Sequence, residues 1–361
     1  MSTIKTINLQ HPSSASNNLV LDSSGNVTGA GTLAMASSFL RNRIINGDMR
    51  IDQRNAGASI SGTDGAFPVD RFQSIASNGS KGNWQQNAGA VTPPSGFTNY
   101  VGFTTTSAYA VAAGDTYAMR HKVEGYNLAD FGWGAAGAAT VTLSFWVRSS
   151  LTGTFAGGLW NSAQNRSYVF TYTVNSANTW EYKTITISGD VTGTWLTNNG
   201  TGCGIDFSLG AGSTLQGTAG SWQAGYKTSA SGAVSVVGTN GATFYLTGVQ
   251  LEVGSVATPF ERRQYGQELA LCQRYYEAAG GDVYTGFSGS SVGSGTWSVR
   301  QYISFNVIKR AIPTMSYTNV RANWSAYNIA LNLGGFSSEC GTSTATTDPR
   351  PNFQWQANAE L

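Results

Sequence analysis

Apolar and polar residues alternate along most of the middle of the chain. In residues 141–147 (Val-Thr-Leu-Ser-Phe-Trp-Val) every second residue is apolar, and Thr142, Ser144 and Trp146 stand between them. This period of two is that of a strand with one buried face. Other sets with the same spacing are Tyr168, Phe170 and Tyr172; Ile185 and Ile187; Ile205, Phe207 and Leu209; and Val249, Leu251 and Val253. So many strands, separated by glycine-rich turns over residues 45–262, predict an all-β fold built as an antiparallel jelly-roll sandwich.

The first 44 residues are poor in aromatic side chains and carry few strand signals. Residues 19–21 are apolar, the next five are turn formers and Val27 follows, which predicts a hairpin with a type I turn and Gly25 in the left-handed conformation. Residues 32–45 fit a short helix or an extended connector, and the propensities do not choose between them. We interpret residues 1–44 as a short N-terminal attachment segment that folds against a partner or against copies of itself.

A helical pattern follows the predicted sandwich. Over residues 266–277, Leu269, Cys272 and Tyr276 fall at positions i, i+3 and i+7. Residues 258–261 (Thr-Pro-Phe-Glu) have the spacing of a capping box with proline at the first helical position, although a later start is favoured by Gly266. Beyond the helix, strand and turn composition returns and predicts a second, smaller β domain. The predicted domains are the attachment segment 1–44, the jelly-roll sandwich 45–262, and the helix with a C-terminal β tip domain 263–361.

Composition and charge exclude several classes of partner. Charged residues make up 11% of the chain, against about 25% in typical soluble domains, so the surface is polar without being charged. The 10 Trp, 16 Tyr and 16 Phe residues argue against disorder. A net charge of +2 gives no field that would attract nucleic acid or an anionic membrane. We expect no membrane insertion, because no run approaches roughly 18 apolar residues, and assembly in a cytoplasm, because a signal peptide is lacking.

Residues that commonly carry catalysis or bind metals are scarce. His11 lies in the polar N-terminal segment, and His121 alternates with Met119 and Val123, which favours a strand residue over a catalytic one. Glycine-rich stretches lack the lysine that follows in a phosphate loop. The cysteines are too few and too scattered for a disulfide framework or a metal site, and we expect reduced, buried thiols at Cys203, Cys272 and Cys340. We therefore expect no cofactor, no metal ligand set and no catalytic residue.

Carboxylates keep one enzymatic alternative open. A glycoside hydrolase needs two acids about 5 to 10 Å apart, a separation that a sequence does not reveal. The acids that could serve are Asp48, Asp52, Asp70, Glu124, Asp130, Glu252 and Glu261. The first three lie close in sequence to Arg43, Arg50, Arg54 and Arg71, and we expect these charges to satisfy one another. A calcium site in the sandwich loops is the competing interpretation, to which no residues are assigned.

Aromatic residues in loops are the remaining candidates for ligand binding. A flat ring can stack on the apolar face of a sugar while its edge hydrogen-bonds. Aromatic residues beside polar, glycine-rich runs are therefore candidates for glycan binding, and burial between the sheets is the alternative for each of them. These candidates are Trp160, Trp195, Trp222, Tyr284, Trp297, Trp324 and Trp355.

Several motifs resemble a sandwich domain found in bacteriophage tail-fibre and receptor-binding proteins. They occur in the family's order and are Asn42-Arg-Ile-Ile-Asn-Gly-Asp-Met49, Ile51-Asp-Gln-Arg54, Asp70-Arg-Phe72, residues 121–130 (His-Lys-Val-Glu-Gly-Tyr-Asn-Leu-Ala-Asp), 141–147, 248–254, 257–261 and 268–276. Residues 7–16 and 21–27 resemble the attachment end of tail fibres, and residues 311–314 (Ala-Ile-Pro-Thr) resemble the family's distal domain. The resemblance is most specific in the middle of the chain and weakens after about residue 280.

This resemblance implies a structural subunit of a virion tail, commonly a homotrimer, with a carbohydrate-binding-like jelly roll and a distal tip that contacts the receptor. Its partners would be a phage tail, baseplate or adaptor protein and a host surface polysaccharide or lipopolysaccharide. The residues that would hold the N-terminus to the tail are Ile7, Leu9, His11, Leu19, Leu21 and Val27. Two alternatives stay open: a tailspike-type depolymerase that uses paired carboxylates, and a purely structural tail or neck connector.

Overall fold

A computed structural model describes the backbone and side chains of residues 41–279, 301–318, 330–337 and 353–361, together with the backbone of the strands that lie outside these ranges. The chain divides into two compact units, Met1–Arg41 and Asn42–Leu361. The predicted boundaries at residues 44 and 262 remain predictions. No described helix is both long enough and apolar enough to cross a membrane.

The first unit contains a three-stranded antiparallel sheet. Its strands, in the order β1-β2-β3, are β1 (Asn8–Leu9), β2 (Leu19–Leu21) and β3 (Val27–Thr28). Leu21 is paired with Val27 in the ladder, so the predicted hairpin is confirmed, and Leu9 is paired with Leu19. The predicted turn around Gly25 lies outside the described residues, as do Ile7 and His11.

The second unit begins with strands that form two six-stranded sheets. The strands are β4 (Ile60–Ser61), β5 (Phe72–Ala76), β6 (Gly82–Gln86), β7 (Val101–Thr105), β8 (Thr116–Glu124), β9 (Val141–Ser149), β10 (Gly153–Asn161), β11 (Arg166–Val174), β12 (Glu181–Ile187), β13 (Thr201–Ala211), β14 (Gln216–Gly217), β15 (Trp222–Ala224), β16 (Ser229–Ala230) and β17 (Thr243–Val253). Short 3₁₀ turns lie at Ala88–Ala90, Gly125–Asn127, Ala129–Phe131 and Ser213–Leu215.

Two sheets of this unit face each other as a sandwich. The order of sheet one is β15-β11-β10-β13-β8-β5, and that of sheet two is β12-β9-β17-β7-β6-β4. All neighbours within the two sheets are antiparallel, whereas β14 and β16 form a separate short parallel pair. The chain crosses between the sheets at most connections, as from β8 to β9 and from β9 to β10. The predicted antiparallel jelly-roll sandwich is confirmed.

The hydrophobic core lies between the two sheets. The ring of Phe145 on β9 lies 5.0 Å from the rings of both Tyr172 on β11 and Phe207 on β13, which joins sheet two to sheet one. The predicted alternating sets line this core, except that Val253 is 45% exposed and Ile185 is only partly buried. The opposite face of sheet two was predicted to be polar and open at Thr142 and Ser144, but both residues are buried.

A single helix in the described part of the chain, α1 (Tyr265–Gln273), follows the sandwich. Cys272 is fully buried against Ile45, Ile51 and Tyr275. The predicted helix was too long at its C-terminal end, because Tyr276–Ala278 forms a strand that pairs elsewhere. The predicted capping box at residues 258–261 was also wrong. The Thr258 hydroxyl donates to Glu252 at 2.6 Å, and Glu261 accepts from the backbone of Asn42 at 2.8 Å, so neither side chain caps α1.

The C-terminal strands form two further small sheets. They are β18 (Tyr276–Ala278), β19 (Val283–Tyr284), β20 (Trp297–Ser304), β21 (Thr314–Thr318), β22 (Ser325–Asn332), β23 (Gly335–Thr342) and β24 (Asn352–Asn358). One sheet has the order β18-β24-β19 with β21 paired to β24, and the other has the order β20-β23-β22. Their apolar cluster contains Phe305, Phe336, Phe353, Trp355 and Ala357. The chain then returns to the sandwich, where Glu360 pairs with Arg54 and Arg71.

Candidate functional site

An open groove of about 460 Å³ lies on the outer face of sheet two. Strands β9, β12 and the middle of β17 form its floor. The loops around residues 97 and 257–262 form its wall. The lining contains four aromatic rings and a single charged side chain. The lining residues are Phe97, Ser144, Trp146, Tyr182, Gly248, Ala257, Thr258, Pro259, Phe260 and Arg262. We call this the aromatic groove.

One aromatic pair of the groove stands on two neighbouring strands. Trp146 and Tyr182 are direct partners in the β9–β12 ladder, which brings their side chains together on the outer face. Their ring centroids are 5.4 Å apart with the planes tilted by 45°. Tyr182 is 42% exposed, and Trp146 is partly exposed. These two rings therefore offer apolar surface to a ligand.

The second aromatic pair stands opposite on loops. The ring centroids of Phe97 and Phe260 lie 5.2 Å apart in an edge-to-face arrangement. The guanidinium of Arg262 lies over both rings, 4.6 Å from the centroid of Phe97 and 5.5 Å from that of Phe260. This cation–π contact orders the arginine at the groove while leaving its edge, where the N–H groups are, available.

The segment after β17 positions this wall. Residues 254–260 fold back over the outer face of β9, where the hydroxyl of Thr142 donates to the carbonyl of Gly254 at 2.8 Å. Glu252 accepts from the Thr258 backbone N–H at 2.9 Å. These bonds explain why Thr142 is buried, and they place Phe260 beside the groove.

A glycine connects the two aromatic pairs. Gly248 lies in a β-bulge of β17 and has a φ of +63°, a conformation that side-chain-bearing residues rarely adopt. A Cβ atom there would lie 2.8 Å from the ring of Phe97 and 3.1 Å from that of Trp146. The absent side chain lets Phe97 approach Trp146 across the strand.

We expect Gly248→Ala to lower the free energy of unfolding and to displace Phe97 and Trp146. The strained backbone should cost about 1 to 2 kcal/mol, and the ring contacts should add to it. Gly241→Ala is the matched control, because Gly241 has a φ of +75° and open space around its Cβ position. Denaturant unfolding and tryptophan fluorescence would measure both variants. Equal stabilities and unchanged spectra would contradict the close contact.

The candidate tryptophans whose side chains are described, Trp160, Trp195, Trp222 and Trp355, do not line this groove. Trp195 and Trp222 lie 5.3 Å apart at their centroids, and both contact Trp133. Their indole N–H groups donate within the protein, that of Trp222 to the carbonyl of Ser188 at 2.8 Å and that of Trp195 to Asp190 at 3.2 Å. This cluster closes one end of the core, with only partial exposure of two rings.

Trp160 and Trp355 are buried and present no ring face to solvent. Trp160 packs over Gly204, whose missing side chain makes room for it, and beneath the guanidinium of Arg120. Trp355 belongs to the C-terminal cluster with Phe336. Tyr284 and Trp297 lie in β19 and β20 with side chains outside the described residues, and Trp324 is outside them altogether.

The candidate acids are bonded to donors within the protein. Asp48 pairs with Arg50 at 2.5 Å and Asp130 with Arg43 at 2.5 Å, while Asp70 lies 3.5 Å from Arg54 and binds Gln53. Glu124 receives two hydrogen bonds from Arg274, at 2.6 and 3.0 Å, and one from Tyr275. Asp52 binds the backbone N–H groups of Asn55 and Gly57. The expectation that neighbouring charges satisfy one another is confirmed for Asp48 and Asp70.

Burial raises the pKa of Asp70 and of Asp48, against the opposing effects of Arg54 and Arg50 respectively. Both side chains are almost inaccessible, at 1% and 3% exposed. In the described part of the chain, no three Cys, His, Asp or Glu residues converge as metal ligands. Through their bonds to Arg50 and to Gln53 and Arg54, Asp48 and Asp70 tie neighbouring segments of the chain together.

The first motif of the phage resemblance also has a structural role. The Asn42 side chain donates to the carbonyl of Val249 at 3.1 Å and accepts from the N–H of Leu251 at 3.1 Å. The Asn46 side chain likewise binds the backbone of Ile51, donating to its carbonyl at 2.8 Å and accepting from its N–H at 2.9 Å. Gly47 lies directly against β17, where a Cβ would meet the carbonyl of Val249 at 2.2 Å. This motif holds the start of the second unit against the sandwich.

No protein-family model and no curated protein matches the chain. Among solved structures, the tailspike protein 4 enzymatically active domain of bacteriophage CBA120 is similar with a TM-score of 0.33 and 10% identity over 59% of this chain. The chain spans only 22% of that tailspike domain. TmCBM61, solved in complex with β-1,4-galactotriose, gives a TM-score of 0.30 and 10% identity over 59% of this chain and 99% of its own.

Discoidin II from Dictyostelium discoideum gives a TM-score of 0.21 and 9% identity over 76% of this chain and 94% of its own. At these scores none of the three structures assigns a family or a function to the chain.

Proposed function

We propose that the chain is a non-enzymatic phage tail-fibre subunit that binds a glycan of the host surface in the aromatic groove. The observation that carries the proposal is the groove itself, where two aromatic pairs face each other across a space of about 460 Å³. Pockets of about 300 to 1,000 Å³ are typical of sites for small ligands. Residues 1–44 would hold the chain to a tail protein, and residues 263–361 would form the distal part.

The chemistry of the groove suits a sugar. Pyranose rings present C–H faces that stack on aromatic rings, and hydroxyl groups that need polar partners. Trp146 and Tyr182 supply the rings, and the exposed Arg262 supplies polar N–H groups beside them. The groove is open to solvent and does not enclose its ligand.

The placement of the acids supports binding rather than cleavage. Hydrolysis of a glycosidic bond requires two carboxyl groups that face the substrate. The groove lining contains no carboxylate, and the candidate acids are engaged by arginines, hydroxyls or backbone N–H groups.

A homotrimer would present several such grooves together, and linked weak sites raise the apparent affinity by a factor of about 100 to 10,000.

We expect Trp146→Ala and Tyr182→Ala to weaken glycan binding roughly thirtyfold each, because truncating a central aromatic anchor costs about 2 kcal/mol. The full-length chain would be screened on an array of bacterial lipopolysaccharides and capsular polysaccharides, and the affinity for a bound glycan then measured for each variant. Tyr126→Ala is the matched control, since Tyr126 is 61% exposed and does not line the groove.

Three results would contradict this function. Failure of the chain to bind any glycan on the array or to adsorb to bacterial cells would remove the binding role. Shortened glycan products would identify a depolymerase. Adsorption that persists when antibodies cover residues 263–361 and the groove is mutated would favour a structural connector. Mass photometry of the intact chain tests the proposed trimer separately.

A further inference from the structure

The aromatic groove contains one positive charge that its lining does not neutralise. Arg262 is exposed, and its described contacts are the ring faces of Phe97 and Phe260. Its field also reaches the buried carboxylate of Asp48, but that carboxylate is already paired with Arg50 at 2.5 Å. No carboxylate lines the groove.

The neighbouring arginines differ from Arg262 in this respect. Arg263, the next residue, is buried and bound by the carboxylate of Glu268 and the carbonyl of Ile44. Arg50 donates to the carbonyl of Arg263 at 3.0 Å as well as pairing with Asp48. Arg262 alone of these three directs its guanidinium into the groove, held there by two aromatic faces rather than by an acid.

The arginine lies close to the rings that would stack on a sugar. Phe97 contacts Arg262 on one side, with 4.6 Å between guanidinium carbon and ring centroid. The ring of Phe97 also lies close to Gly248, which borders Trp146. Arg262 and Trp146 thus both lie near Phe97, so a sugar stacked at Trp146 can extend a substituent toward the guanidinium.

We infer that the groove selects a glycan that carries carboxylate groups, such as a uronic acid polymer, with the carboxylate bound by Arg262. The inference rests on the proposed glycan-binding function and specifies its ligand class. A planar guanidinium with free N–H groups matches a carboxylate in two parallel hydrogen bonds. The otherwise uncharged lining supplies no competing repulsion.

The test uses a panel of uronic-acid-containing bacterial capsular polysaccharides, each paired with its carboxyl-reduced neutral form. We expect the wild-type chain to bind an acidic member at least about tenfold more tightly than its reduced form, as one charge-assisted contact predicts. Arg262→Gln should remove that preference, and Arg262→Lys should restore part of it. Lys81→Gln is the control for net charge, because Lys81 lies over Tyr109 outside the groove.

The outcomes separate this inference from the function on which it rests. Binding of neutral polysaccharides only, or an acidic preference that Arg262→Gln leaves unchanged, overturns the inference but leaves glycan binding in place. Binding of no polysaccharide overturns both. If Trp146→Ala instead changes the subunit number in mass photometry and no glycan binds, the groove is a contact between copies of the chain and the inference fails.

Discussion

Asp206→Ala should lower the free energy of unfolding by about 3 to 5 kcal/mol, the usual effect of removing one partner of a buried ion pair. Asp206 on β13 is fully buried and accepts hydrogen bonds from Arg120 at 2.7 and 2.9 Å and from the hydroxyl of Tyr226 at 2.7 Å. Without the carboxylate, the guanidinium of Arg120 stays buried over the ring of Trp160 and loses its paired counter-charge. Denaturant unfolding of the purified chain would measure the loss.

The double variant Asp206→Ala with Arg120→Met is the control for this prediction. It removes both charges, so no uncompensated ion remains, and it should recover a substantial part of the lost stability. The recovery would show that the lost counter-charge, rather than lost packing, causes the effect. A single-variant loss below about 1 kcal/mol would mean that Arg120 escapes to solvent.

Stability should fall as the pH drops below 6.5, by as much as about 1.4 kcal/mol per pH unit from one group. That group is His121, whose pKa is held well below its ordinary value of 6.5 by burial and by the positive charges of Arg71 and Arg263. Below pH 6.5 the His121 side chain becomes protonated in the unfolded chain but stays neutral in the folded chain. The folded state therefore loses stability on acidification, until the lowered pKa itself is reached.

His121→Gln separates this effect from other titrations. Burial raises the pKa of Asp48, Asp70 and Glu268, which gives the opposite sign, because protonation of these carboxyls favours the folded state at low pH. These three carboxyls are present in both the wild-type chain and the His121→Gln variant. Their contributions therefore cancel when the stability of one is subtracted from that of the other. We expect the wild-type chain to lose more stability than the variant between pH 7.5 and 5.5 in urea titrations. Parallel curves would contradict a neutral, buried His121.

Some of the motifs that resemble a phage protein hold the sandwich together. His121 lies on β8 with its ring edge-on to Phe72 at 4.9 Å, and its Nε2 lies 3.2 Å from the carbonyl of Ile45. Asn42 and Gly47 fasten the chain to β17. Other motifs of the resemblance, residues 141–147, 248–254 and 257–261, contribute Trp146, Gly248 and Phe260 to the aromatic groove.

Trp146 is one of several groove residues, with Phe97, Tyr182, Phe260 and Arg262, that were not among the sequence candidates. It was grouped with Thr142 and Ser144 on the polar face of an alternating strand, and aromatics near glycine-rich loops were preferred instead. The usable signal was present, since a tryptophan on the polar face of a strand is positioned for exposure. Tyr182 carried less signal, because its contact with Trp146 depends on which strands are neighbours.

The sequence by itself determined the strands, the two-layer sandwich and the scarcity of catalytic groups. Period-two alternation is a local property, and burying one face of each strand requires a second sheet. Tertiary structure alone decided which aromatics are buried and which acids are paired. Trp160 is buried because Gly204 and Arg120 enclose it, and Arg262 faces a groove because residues 254–260 fold back over β9. These contacts join residues that are distant in the chain. The spacing of those residues in the sequence does not predict that they meet.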